Sequence, residues 1–275
     1  MTSEHKSNPE QKTHWEAVFS QKAAFFGEEP SDFAKKSLDL FRREDVHSVL
    51  ELGCGQGRDT FLFARSGLRV TALDYAEAAV AEIRKRAAAD RLSALVIAQS
   101  HDVRQPLPFP DCGFDACYSH MLLCMELSTA EIAFLLGEIL RVLRPGGLAV
   151  YSVRSDLDKH YRTGIQLGED IYKIGGFVVH FFTEEKIKKL AKGYDLSVID
   201  RLKEGSLPRD LYCVTMRKRA VSEASQDNPC KENTMSAPLN RFQDFMDASL
   251  APGVLDQKTK QLVALGAALA VGCDP

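Results

Sequence analysis

Three glycines alternate at Gly53, Gly55 and Gly57, between the apolar run Val49-Leu50-Glu51-Leu52 and the stretch Arg58-Asp59-Thr60-Phe61-Leu62-Phe63-Ala64, which has helical spacing. Glycine lacks a Cβ and takes positive φ readily, so such a bend between strand and helix lets main-chain N–H groups approach a bound nucleotide. Two nucleotide-binding patterns fail here on particular residues. The dinucleotide pattern Gly-x-Gly-x-x-Gly fits Gly53 and Gly55, but Arg58 stands where a third glycine would permit close helix packing. A phosphate-cradling P-loop needs Gly-Lys-Ser/Thr after the bend, and none follows.

Candidates for proton transfer lie further along the chain. His120 directly follows the apolar run Phe114–Ser119, while His160, Tyr161 and His180 fall in a long stretch without strong periodicity. A neutral imidazole can take a proton near pH 7 without a large change in pKa. Cys112, Cys117 and Cys124 match no zinc-ligand spacing, so no metal is expected.

The elements that must position these groups alternate. Strands are expected near 48–52, 69–73, 94–98, 114–119 and 148–153, with helices from about 59, over 77–89 and over 129–142. That alternation predicts an α/β fold, a doubly wound parallel sheet whose ligand lies at the carboxyl ends of the strands. Thr183 caps a further helix, and strands six and seven fall at 196–199 and 211–216. Trp15, Phe19, Phe25, Phe26 and Phe33 mark an ordered helical lead-in. The stretch 154–180 is too long for a plain connection and is expected to cover the site as a substrate-facing lid.

Together these motifs resemble class I S-adenosylmethionine-dependent methyltransferases. Glu51-Leu52-Gly53-Cys54-Gly55-Gln56-Gly57 is similar to the family's acidic-x-Gly-x-Gly-x-Gly motif, Asp74 ends the second strand, Asp102-Val103 follows the third, and Leu140 to Tyr151 is similar to its helix, Pro-Gly-Gly turn and fifth strand. The resemblance implies a Rossmann-like seven-stranded sheet of order 3-2-1-4-5-7-6 with strand 7 antiparallel, and S-adenosylmethionine as methyl donor. It implies contacts from Gly53, Cys54 and Gly55 through their backbone, from Glu51 at the turn or amino end, and from Asp74 at the ribose. Tyr75 then lies beside the adenine, Asp102 and Val103 at its edge, Ser119 at the end of strand four, and Trp15 over the methionine portion. His120 occupies the position from which the family commonly faces the methyl group. Gly55 to Ala64 is similar to the tellurite-resistance and thiopurine type, whose acceptors include soft chalcogen or sulfur nucleophiles.

Methyl transfer from a sulfonium is an in-line displacement, and holding the reactants about 3 to 3.5 Å apart can contribute roughly 7 to 11 kcal/mol. A base is required only if the nucleophile starts protonated. A nicotinamide-dependent oxidoreductase is disfavoured at Arg58; a non-catalytic S-adenosylmethionine-binding or scaffold module is the other alternative. No Asn/Asp-Pro-Pro-Tyr/Phe tetrapeptide and no basic stripe suggests nucleic acid, Arg217-Lys218-Arg219 reads as a solvated strand end, and the net charge is -3. A small-molecule acceptor is expected.

At 275 residues and 45% hydrophobic content the chain can hold a domain of about 200 residues and something smaller. The expected division is 1–219, a linker 220–236 rich in polar and turn residues, and a helical segment 237–275. That segment resembles the start of carboxymuconolactone decarboxylase-like, or alkylhydroperoxidase-like, domains; of their Cys-x-x-Cys-x-x-x-His motif only Cys273 falls within these residues. A homo-oligomer formed through it is expected. No apolar run of about 20 residues or signal sequence is visible, which leaves the cytoplasm as the expected location and no membrane partner. Seven scattered cysteines suggest reduced thiols.

Overall fold

The computed structural model describes residues 9–205 and 209–220. The linker 220–236, apart from its first residue, and the segment 237–275, with the oligomer expected of it, lie outside the described residues. Among those described, no helix is long and apolar enough to cross a membrane.

Two helices lead in, α1 (Pro9–Gln21) and α2 (Asp32–Arg43). Then come β1 (Ser48–Leu52), α3 (Arg58–Arg65), β2 (Arg69–Asp74), α4 (Glu77–Ala89), β3 (Val96–Ser100), β4 (Phe114–His120), α5 (Thr129–Val142) and β5 (Leu143–Arg154). An inserted set β6 (Ile165–Gly168), β7 (Ile171–Ile174) and β8 (Phe177–His180) precedes α6 (Glu184–Leu190), β9 (Tyr194–Glu204) and β10 (Arg209–Lys218). The main sheet runs β3-β2-β1-β4-β5-β10-β9. β1 to β5 pair in parallel, and β10 is antiparallel to both neighbours. This is the expected 3-2-1-4-5-7-6 order, with the inserted strands raising the count.

Helices cover both faces. Phe33, Phe41, Phe61, Phe63, Val80 and Ile83 from α2, α3 and α4 pack on one side of the sheet, and Ile132, Leu135, Ile139 and Ile187 from α5 and α6 on the other. Four residues of β1 are fully covered, so its apolar run has no polar alternation. The chain turns outward through β2 and β3 and then restarts beside β1 with β4. The carboxyl ends of β1 and β4 therefore diverge at the switch point, where α/β sheets bind ligands.

Two expectations change. The Pro-Gly-Gly turn before the fifth strand is absorbed into β5 as a bulge: Phe114 pairs with Leu143 and Ala116 with Leu148, and Gly146 takes φ +76°. The insertion is a three-stranded antiparallel sheet, because its apolar residues pair across short turns such as Gly175-Gly176, where both φ values are positive. Among the described residues Cys54, Cys117, Cys124 and Cys213 are free.

α5 begins with a complete capping box, in which Ser128 Oγ accepts from the Glu131 N–H at 3.2 Å and Glu131 Oε2 accepts from the Ser128 N–H at 2.7 Å. Replacing Ser128 by Ala is expected to lower stability by about 1 kcal/mol, read as a shift in the urea midpoint with unchanged slope.

Candidate active site

The bend after β1 is tied to β2 by three hydrogen bonds. Gly53 and Cys54 donate their N–H groups to Leu73 O at 2.8 and 3.1 Å, and Gly55 N–H donates to Asp74 Oδ2 at 2.9 Å. Gly53 has φ +72°, and a Cβ there would stand 2.9 Å from Leu122 Cβ, too close for two carbons. Asp74 Oδ1 accepts from Ala76 N–H at 2.9 Å, so each carboxylate oxygen keeps lone-pair capacity toward the open side.

Beside this bend is a cavity of about 940 Å³. Its wall includes Trp15, Glu51, Gly53, Cys54, Gly55, Asp74, Tyr75, His120 and His160 among the residues expected at the site. Asp102, Val103, Ser119, Tyr161 and His180 are not part of it. Asp102 grips the Arg104 guanidinium at 2.8 to 3.2 Å, and Val103 is buried in the core on the α5 side of the sheet. Ser119 Oγ donates to Leu52 O at 3.1 Å, tying β4 to β1. Tyr161 donates to Asp170 Oδ1 at 2.9 Å. His180 is fully buried, with Nδ1 donating to Leu127 O at 2.7 Å and Nε2 facing Lys186 Nζ at 2.8 Å, and burial pushes its pKa down. The four polar groups among these, Asp102, Ser119, Tyr161 and His180, are already occupied by neighbouring polar atoms.

Aromatic residues close one end. Trp15 stacks on Phe19 at 5.4 Å and lies 5.8 Å from Phe26 and 5.9 Å from Phe177 of β8. The inserted sheet thus reaches α1 across the cavity, as a cover over the site should. Gln56 secures the same segment: its amide accepts from Phe25 N–H at 2.7 Å and donates to Lys22 O at 2.8 Å. Arg58, the residue that breaks the dinucleotide pattern, lies 3.6 Å from Glu204 and over the Phe26 ring.

Charge is divided within the cavity. Glu51 is buried, and burial with the nearby Asp59 and Asp74 carboxylates raises its pKa well above the ordinary 4.5, against the pull of Thr60, whose hydroxyl donates to Oε2 at 2.6 Å. Burial likewise raises Asp74 and Tyr75. At the other end, Arg154 of β5 holds Asp158 through two bonds of 3.0 and 2.6 Å. Asp158 Oδ2 also accepts from Asp210 N–H at 2.8 Å, which fastens the root of the insertion to β10.

His120 sits between these ends. Ser152 Oγ accepts from Met121 N–H at 3.1 Å and lies 2.7 Å from His120 Nδ1. The buried hydroxyl proton finds an acceptor in Nδ1, which assigns the ring proton to Nε2. Nε2 faces Glu204 Oε2 at 3.6 Å, and that oxygen has no hydrogen-bond partner among the described residues. Burial lowers the His120 pKa to about 4, so the ring is a neutral donor at physiological pH.

Arg154, Arg209, Glu204 and the turn-binding Gln56 were missed in the sequence. Only adjacency to strand ends marked the first three, and side-chain charge at a strand end is ordinarily solvated. Among the described residues no group of three or more His, Cys, Asp or Glu is placed to hold a metal.

Residues 49–147 match the family model described as Methyltransferase domain. Over that span the chain is similar to methyltransferase domains. A malonyl-[acyl-carrier protein] O-methyltransferase of Serratia marcescens is 32% identical over 123 residues, 44% of each chain. A probable S-adenosylmethionine-dependent methyltransferase of Mycolicibacterium smegmatis is 35% identical over 123 residues, 41% of this chain and 44% of that one. The chain therefore spans less than half the length of these curated relatives. The solved 1,6-didemethyltoxoflavin-N1-methyltransferase of Burkholderia thailandensis, with S-adenosylhomocysteine bound, superposes with a TM-score of 0.62 at 20% identity over 80% of this chain and 92% of that one. The N-methyltransferase NodS of Bradyrhizobium japonicum, also with S-adenosylhomocysteine, gives 0.56 at 17% identity over 75% and 97%. At these identities the likeness shows a common fold. The matched span of the methyltransferase domain contains the glycine bend and Asp74, the part of the cavity nearest β1 and β2.

Glu51 generates a pH prediction. Its folded pKa exceeds its unfolded one, so the fold is free of the penalty below the unfolded pKa and loses stability as pH rises from there toward the folded value. Glu51→Gln keeps an acceptor for Thr60 and removes the charge. Scanning calorimetry without ligand should find the variant more stable than wild type at pH 8 and equal to it near pH 4.

Proposed function

We propose that this chain transfers a methyl group from S-adenosylmethionine to a small-molecule nucleophile held in the cavity. The observation that carries the reading is the bend at Gly53–Gly55, bonded to Leu73 O and Asp74, opening onto a space of about 940 Å³. Gly53 leaves no room for a Cβ, whereas a Cβ at Gly55 would meet only the Phe19 ring, at 3.5 Å.

In this reading Gly53, Cys54 and Gly55 present backbone to the donor, Asp74 holds the ribose hydroxyls with its remaining lone pairs, and Glu51 receives the amino end. Tyr75 and Trp15 supply flat surfaces for the adenine and the methionine portion. Asp102 and Val103 stand outside the cavity wall and have no part in this proposal, and the same holds for Ser119. The donor supplies an electrophilic methyl group on a positively charged sulfur. The protein's part is to align the acceptor with it and keep water out, which the cover of β6–β8 and the aromatic cluster on α1 serve. Of the four substrate-side candidates, His120 and His160 line the cavity and are retained. Tyr161 and His180 are bound elsewhere and support the cover. The soft chalcogen and sulfur acceptors suggested by Gly55–Ala64 are one acceptor class; the oxygen acceptor in the name of the Serratia protein suggests another.

Trp15 is the sole tryptophan of the chain, so intrinsic fluorescence reports on this wall directly. Titration with S-adenosylhomocysteine is expected to change its emission with saturation. Asp74→Ala should weaken that binding by roughly tenfold to a hundredfold, the range for losing charge-assisted hydrogen bonds. An unchanged affinity in the variant, or no saturable binding to wild type, contradicts the reading.

A further inference from the structure

Two groups in the cavity wall face each other without bonding. Glu204 closes β9, and its Oε2 is buried with no hydrogen-bond partner among the described residues. His120 Nε2, which carries the ring proton, stands 3.6 Å from that oxygen, beyond the reach of an N–H···O bond. A donor and an acceptor left unmet in a largely dry wall cost free energy, and a ligand group seated against both would relieve it. The surroundings of Glu204 hold its charge without filling Oε2. Arg58 of α3 lies 3.6 Å from Oε1, and the Asp32 N–H at the start of α2 supports the carboxylate. Asp32 and Asp59 repel its charge, and Arg209 of β10 attracts it. Burial is the largest influence and raises its pKa above the ordinary 4.5, which makes it a stronger proton acceptor than a surface carboxylate.

A donor beside an acceptor selects its ligand by hydrogens and lone pairs. A hydroxyl satisfies both, because it donates its O–H to Glu204, accepts from His120 Nε2–H with one lone pair and keeps the second for the methyl group. A neutral amine has a single lone pair, which cannot both accept from His120 and attack carbon. An ammonium ion would meet Arg58, Arg154 and Arg209, which all line the cavity. A carboxylate brings no proton for Glu204 and is repelled by it. A thiol is a weak partner in both directions.

We propose that the methyl acceptor is an uncharged hydroxyl compound with an apolar body, whose O–H gives its proton to Glu204 while His120 orients the oxygen. This rests on the methyltransferase reading above. The hydroxyl proton passes to the Glu204 carboxylate, an oxygen lone pair forms the new O–CH3 bond, and the S–CH3 bond breaks with its electron pair returning to sulfur. The product is a neutral methyl ether, and Glu204 then releases its proton to water. One proton therefore leaves the enzyme per turnover. The terminal torsion of a glutamate is broad, so a small rotation turns Oε2 to the bound hydroxyl. Met121, Met125, Ile174, Phe177 and Val179 line the cavity and meet the hydrocarbon part of the acceptor.

The test uses the full chain in two stages. Tryptophan fluorescence first measures S-adenosylhomocysteine binding. If wild type fails there, the methyltransferase reading falls and takes this one with it. The chain is then offered S-adenosylmethionine with phenols and aliphatic alcohols, and with matched carboxylic acids, amines and thiols. The expected result is methyl ether by mass spectrometry from hydroxyl compounds only, with one proton per ether recorded by an indicator dye in weak buffer. Glu204→Gln should bind S-adenosylhomocysteine as wild type does and lower kcat by roughly a hundredfold to ten-thousandfold, the contribution of a general base. Wild-type kcat should fall as pH drops and Glu204 takes its proton, and that acid limb should be missing from the Gln variant. Glu204→Asp should recover part of the rate with a shifted acid limb, and it carries the test alone if the Gln variant does not bind S-adenosylhomocysteine. His120→Ala should mainly raise KM for the hydroxyl compound. Ester, methylamine or thioether in place of ether overturns the proposal and leaves the cofactor reading intact. So does cofactor binding with no ether from any hydroxyl compound, ether formed without proton release, or Glu204 variants whose kcat and pH profile match wild type.

Discussion

Three hydrogen bonds from the backbone of one turn to the end of the neighbouring strand hold this site in place. Gly53, Cys54 and Gly55 all donate into β2, to Leu73 O and to the Asp74 carboxylate. Because β2 is paired with β1 along its length, from Ser48↔Arg69 to Leu52↔Leu73, the bend cannot shift without breaking the ladder. The geometry requires left-handed backbone at Gly53, Gly55 and Gly57, with φ between +50° and +83°, where a side chain would be strained. A second carboxylate, Asp59, fixes the outer edge: it accepts from the Ser31 N–H and hydroxyl at 2.8 Å and from the Tyr118 hydroxyl at 2.9 Å, joining the starts of α2 and α3 to β4.

Around that fixed turn the cavity is assembled from distant segments. α1 supplies its aromatic end, β4 and β5 its middle, and the inserted sheet and β10 its far wall. The polar residues inside the walls are satisfied by one another, as Ser119, His180 and Tyr161 show. Among the polar residues that line the cavity, Asp74 keeps spare lone pairs, Glu204 Oε2 has no hydrogen-bond partner among the described residues, and His120 Nε2 faces that oxygen at 3.6 Å. Unsatisfied groups in a buried wall mark where a ligand completes the hydrogen bonding.

Charge is divided between the two ends of the cavity. Carboxylates cluster near β1 and β2, where Glu51 is pushed toward protonation by burial and by its acidic neighbours. Guanidinium groups cluster near β5 and β10.

Glycine spacing, apolar runs and Asp74 made the core of the fold legible in the sequence, because backbone strain and strand burial are local requirements that particular residue types satisfy at fixed intervals. The sheet order and the cofactor-side wall at Glu51, Gly53, Gly55 and Asp74 followed from that local pattern and the family it resembles. The fate of the histidines did not, since His120 and His180 differ in what their nitrogens meet: Ser152 and the Glu204 carboxylate for one, Leu127 O and Lys186 for the other. Nor did the pairing of Asp102 with Arg104 or the folding of 165–180 into a small sheet. Those depend on contacts between segments tens of residues apart, such as Leu211 with Arg154, and only the packed chain brings such partners together.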